Sequence, residues 1–107
     1  MRKRSTVRHR LVLYEYVYEL LTENDMIETM CGQYFKTAQH HGDMVELSLT
    51  LYELEELTGA VAAESNHARS RSMRDELGAV CDELEECIGI VKRGEQRGES
   101  VSYRQEF

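Results

Sequence analysis

From Met73 to Val91 an apolar residue returns at Met73, Leu77, Val80, Leu84, Cys87 and Val91, with spacings that alternate between four and three. That is the seam of a long helix with one buried face, kept over about three heptads. It constrains the fold more than any other stretch. The chain has no proline, so nothing in it forces a helix to break. Gly94 reads as the stop of this segment. The polar, serine-rich stretch Ser65 to Ser72 reads as the turn before it, with Ser72 and Asp75 as its cap.

The three-four spacing recurs upstream. Val7, Leu11, Tyr14, Tyr18 and Leu21 form one stripe over residues 6–22, and Leu13, Val17 and Leu20 form a second beside it. Val12, Tyr14, Tyr16, Tyr18 and Leu20 also alternate as a strand face. No second convincing strand offers itself as a partner, so the spacing predicts a helix. Thr22 to Asp25 reads as a turn with capping residues. A second helix is expected over 25–41, carrying Ile27, Met30, Cys31, Tyr34, Phe35 and Ala38 and ended by Gly42. Asp43 and Glu46 resemble a capping box for a third helix that continues through Met44, Leu47, Leu51, Leu54 and Val61. The expected fold is all-α: a single domain over 1–107, a small bundle of about four helices with a long C-terminal helical hairpin. Residues 1–6 would form a basic arm and 95–107 a flexible tail. Leu49, Tyr52 and Ile88 lie outside the main seams, and this surplus of apolar residues points to self-association, as a homodimer or larger assembly.

Charge divides the chain unevenly. The net charge is −7, yet Arg2, Lys3, Arg4, Arg8 and Arg10 give the first ten residues +5, leaving −12 on the rest. Such a body repels phosphates from most directions, so direct nucleic-acid binding is expected only through the basic arm. Hydrophobic residues make up 41% of the chain, but no stretch is long enough to span a membrane. The basic start runs only into Leu11–Tyr14, too short for a signal peptide. Cys31, Cys81 and Cys87 are odd in number and read as core thiols, not as a disulfide framework. A cytoplasmic protein is the expectation.

No nucleophile elbow, phosphate loop or Cys-x-x-Cys pattern is present, and neither catalytic residues nor a cofactor are assigned. Glu64 and His67 have the spacing of half a di-iron site, but no second copy of the motif exists to complete it, so no metal ligand is assigned either. Rows of carboxylates at Glu15, Glu19 and Glu23, and at Glu46, Glu53 and Glu56, are candidate partner-binding edges. Arg69, Ser70, Arg71, Ser72 and Arg74 surround a helix start, where free N–H groups and the helix dipole favour an anion. The expected function is a non-enzymatic protein–protein interaction module. It would be an acidic helical adaptor, regulator or inhibitor that acts on a basic partner, with nucleic-acid mimicry as its sharpest form.

One alternative is an enzyme. Glu53-x-x-Glu56, followed by Asp75, Glu76, Asp82 and Glu83 on the next helix, resembles the MazG-like nucleoside triphosphate pyrophosphohydrolases. The resemblance implies an all-α fold and magnesium-dependent hydrolysis, with facing carboxylates holding the metal. The second half of the motif departs from the pattern, because Ala79 stands where Glu76 should be followed by aspartate.

Overall fold

The computed structural model describes residues 5–106; of the expected basic arm, Met1 to Arg4 lie outside that range. It overturns the all-α expectation. Four α-helices pack on one face of a four-stranded mixed sheet, an α+β fold and not a helical bundle. The first strand, β1 (Arg8–Tyr14), runs directly into α1 (Glu15–Thr22). Then come α2 (Asp25–Cys31), a 3-10 turn (Gly32–Phe35), and the hairpin β2 (Gln39–His41) and β3 (Met44–Thr50). The chain ends in α3 (Leu51–His67), α4 (Arg71–Gln96) and β4 (Ser102–Arg104). The sheet order is β2-β3-β1-β4, with β4 parallel to β1 and the other pairs antiparallel.

Each correction has a local cause. Gly42 does not end a helix: with Asp43 it forms the two-residue connection between His41 and Met44. Its φ of 64° is the left-handed value that hairpin turns of this length require and that glycine tolerates. Asp43 opens no helix, and its carbonyl instead accepts from the Glu15 N–H at 2.8 Å, joining the turn to the start of α1. The capping box lies seven residues later than predicted. The Thr50 hydroxyl accepts from Glu53 N, and the Glu53 carboxylate accepts from Thr50 N. Upstream of it, Val45, Leu47 and Leu49 point inward against His9, Leu11 and Leu13 of β1 in a period of two. The residues proposed as one helix over 6–22 are a strand and then a helix.

The predicted hairpin of two long helices is present as α3 and α4, although α3 starts only at Leu51. Ser70, not Ser72, caps α4, its hydroxyl accepting from Met73 N at 2.9 Å. The seam is buried from Leu77 to Val91, while Met73 stays partly exposed. It packs against the same core as α3 and the inner sheet face; of the residues outside the seams, Ile88 is half-buried and Tyr52 is exposed. Leu49 is buried on β3. Gly94 is no stop but a buried position two residues before the helix end. A Cβ there would lie 2.3 Å from the Val101 side chain. The helix ends instead at Gly98, whose φ of 72° allows Glu99 N to bond Gly94 O and Gly98 N to bond Glu95 O, a Schellman closure.

The segment read as a loose tail is tied down. Arg10 N donates to Val101 O and Gln105 N to Val12 O, which sets β4 alongside β1. Val101 N donates to His9 Nδ1 at 2.9 Å, and His9 Nε2 lies 2.6 Å from Glu95. Gln105 is 2% exposed; its side chain accepts from Tyr14 N and donates to Glu83.

All three thiols are free and buried, as the sequence suggested. Burial first, and the Glu86 charge second, push Cys87 up to about 12. An unfolded thiol ionises near pH 8.5, as estimated from model peptides at about that value. Above it the unfolded chain releases a proton that the folded chain keeps. This contribution to stability is therefore complete below about pH 8.5 and is lost as pH rises towards 12. The unfolding free energy is expected to be flat near neutrality and to fall above pH 9, by at most about 1.4 kcal/mol per pH unit for this thiol. Urea titrations at several pH values, repeated on Cys87→Val, measure the slope and its loss.

Candidate functional site

Two surfaces are shaped to receive something. The first is the groove between α1 and α4. Two adjoining cavities of about 150 and 260 Å³ meet at Leu20. Val17, Leu20, Ala79 and Val80 supply apolar walls, and Gln105 closes one end. Met73 and Tyr16 flank it, 37% and 58% exposed. The rim is acidic, with Glu23 at the C-terminal cap of α1 and Glu76 and Glu83 on α4. The ion pairs among the described residues are Arg8–Glu53, His9–Glu95, Arg10–Glu46 and Arg97–Glu99. None includes the rim carboxylates. Partial desolvation, then the Glu83 and Glu76 charges, raise the Tyr16 phenol above its ordinary value, so the rim's field reaches the groove.

The second surface is the outer face of the sheet, which no helix covers. It carries Arg8, Arg10 and Val12 from β1, Glu46 and Ser48 from β3, His41 from β2, and Ser102 and Arg104 from β4. Cavities of about 380 and 330 Å³ lie on it and share Glu46. Arg8 reaches across β3 to Ser48 O at 2.9 Å and to Glu53 at 3.1 Å. Arg10 bonds Glu46, and that hydrogen bond, aided by the guanidinium charge, holds the Glu46 carboxyl below its usual range.

The chain was compared with protein-family models, curated proteins and solved structures, and it matches none of them.

The acidic rows read from the sequence are not assembled into one edge. Glu15 and Glu19 lie on α1, and Glu23, which caps its C-terminus, borders the groove. Glu46 and Glu53 are paired with arginines of β1, and Glu56 accepts from the Tyr34 hydroxyl at 3.2 Å. The proposed anion site, Arg69 to Arg74, is an exposed turn in which Ser70 is occupied as the cap of α4. The all-α fold implied by the MazG-like resemblance is absent. Among the described residues, no three His, Cys, Asp or Glu side chains are grouped so as to hold a metal ion. Sequence reasoning missed both surfaces. In the sequence Met73 reads as part of a buried seam, although it is 37% exposed, and Arg8 and Arg10 read as part of a helix over 6–22. The visible signal was the alternation of Arg8 and Arg10 with His9 and Leu11.

Proposed function

We propose that this chain is a non-enzymatic protein-interaction module that seats a basic amphipathic helix of a partner in the α1–α4 groove. The observation that carries this reading is the coincidence of exposed Tyr16 and Met73 and partly buried Leu20 with a rim of carboxylates that have no ion-pair partner among the described residues. A helix presenting apolar residues on one face and lysines beside them satisfies both needs. The apolar face fills the groove, and the charges set orientation and association rate. The proposal includes a reducing, cytoplasmic setting, supported by three buried thiols without a disulfide. Among the described residues no helix is long and apolar enough to cross a membrane.

The test uses a fluorescent helical peptide built from leucines at i, i+3, i+4 and i+7 with lysines on the flanks. Its binding to the full chain is expected to weaken at least tenfold in Leu20→Asp. In Glu76→Lys combined with Glu83→Lys, both affinity and its salt dependence should fall, because the long-range attraction is removed. Glu55→Lys, on the exposed side of α3, serves as the charge control. Equal loss in the control and the groove variants would assign binding to net charge alone and reject the groove.

A further inference from the structure

We propose that the uncovered face of the sheet is a second binding surface, which takes a single-stranded nucleic acid by its phosphates through Arg8, Arg10 and Arg104. This inference is independent of the groove. Arg8 and Arg10 are two residues apart on one strand, hence on the same face and about 7 Å from each other. Arg104 joins them from the neighbouring strand, where it stands in register with Val12, and Ser102 with Arg10. All three side chains are exposed, and Arg104 forms no ion pair among the described residues. Three like charges on adjoining positions repel one another. Glu46 and Glu53 offset part of this charge, and each also holds its arginine in place. A guanidinium has five donors, so both paired arginines retain N–H groups for a further acceptor.

The chemistry favours a phosphate backbone over an acidic peptide. The two cavities on this face are lined mainly by charged and polar side chains, with Tyr34, Val12 and Met44 the exceptions, so they offer little apolar surface to anchor a peptide side chain. Hydroxyls at Ser48 and Ser102 and the His41 ring add donors of the kind that bond phosphate oxygens. A single strand can lie flat across four strands, whereas a duplex would bring more phosphates against the acidic helices. In sequence, Arg2, Lys3 and Arg4 precede β1 and carry the same sign.

The experiment is fluorescence anisotropy of a labelled 20-nucleotide oligouridine with the full chain at 50 and 200 mM salt. Three phosphate contacts correspond to a log–log salt slope of about −2, and to roughly 20-fold weaker binding over that range. The triple variant Arg8→Gln, Arg10→Gln, Arg104→Gln is expected to weaken binding at least tenfold and to reduce the slope by about 2. Arg104→Glu alone, at an exposed residue with no ion pair, should weaken it severalfold, and Glu46→Gln should strengthen it. Arg69→Gln with Arg71→Gln, and the groove variant Leu20→Asp, should change nothing. Three results would overturn the proposal: no saturable binding at 50 mM salt, unchanged binding in both Arg104→Glu and the triple variant, or equal competition by polyglutamate at matched charge. The last would make the face a site for acidic polypeptide.

Discussion

Shortening Leu47 to alanine is expected to destabilise the fold by about 3–5 kcal/mol, as for fully buried leucines whose surroundings relax little. Leu47 is 0% exposed and lies on β3 directly against Leu11 of β1, with helices packed on the same face. That loss is a large part of the roughly 5–15 kcal/mol that holds a domain folded. The urea midpoint should drop sharply while the slope of the transition stays constant. The neighbouring Ser48→Ala, on the outer face, should cost less than about 1 kcal/mol, as surface changes do. This contrast between adjacent positions is the signature of a strand. Comparable losses at both would contradict the register between β1 and β3.

Gln105→Leu should cost about 2–4 kcal/mol, although leucine is similar in size. The amide satisfies the Tyr14 N–H and the Glu83 carboxylate together, and leucine leaves both without that partner in a part-buried place. The melting temperature should fall by about 10–20 °C on the scaling for a domain of this size. Hydrogen exchange at the Tyr14 amide should accelerate more than exchange at Leu13, which is bonded within the sheet. If the two amides change in parallel, the side chain is not the partner of Tyr14. Ser102→Ala, on the open face of β4, is the matched control and should have little effect.

The helical half of this fold was legible because long elements repeat their signal. The seam of α4 has buried positions through about four turns, and the capping asparagine of α2 works as read, Asn24 accepting from Ile27 N at 3.0 Å. The strands were obscured because seven residues are too few to separate a period of two from one of 3.6. Met44, Leu47, Leu51 and Leu54 fit a helix, whereas Val45, Leu47 and Leu49 fit a strand, and both sets end on the same leucine-rich stretch. The deciding signal was Gly42-Asp43, a hairpin connection that also has the composition of a helix boundary. Once β3 is taken for a helix, β1 has no partner, so one ambiguity removed two strands. β4 carried almost no signal: three residues with only Tyr103 turned inward derive their conformation from β1. The candidate surfaces were hidden for the same reason, since each joins segments distant in sequence. Leu20 meets Met73 and Arg10 meets Arg104 only after the sheet and hairpin are assembled.

The parallel placement of β4 has a consequence for biogenesis. β1 is synthesised long before its partner β4, so its outer edge stays unsatisfied until Gln105 has emerged and reached back over 91 residues to Tyr14. During that interval the nascent chain exposes an edge prone to mispairing.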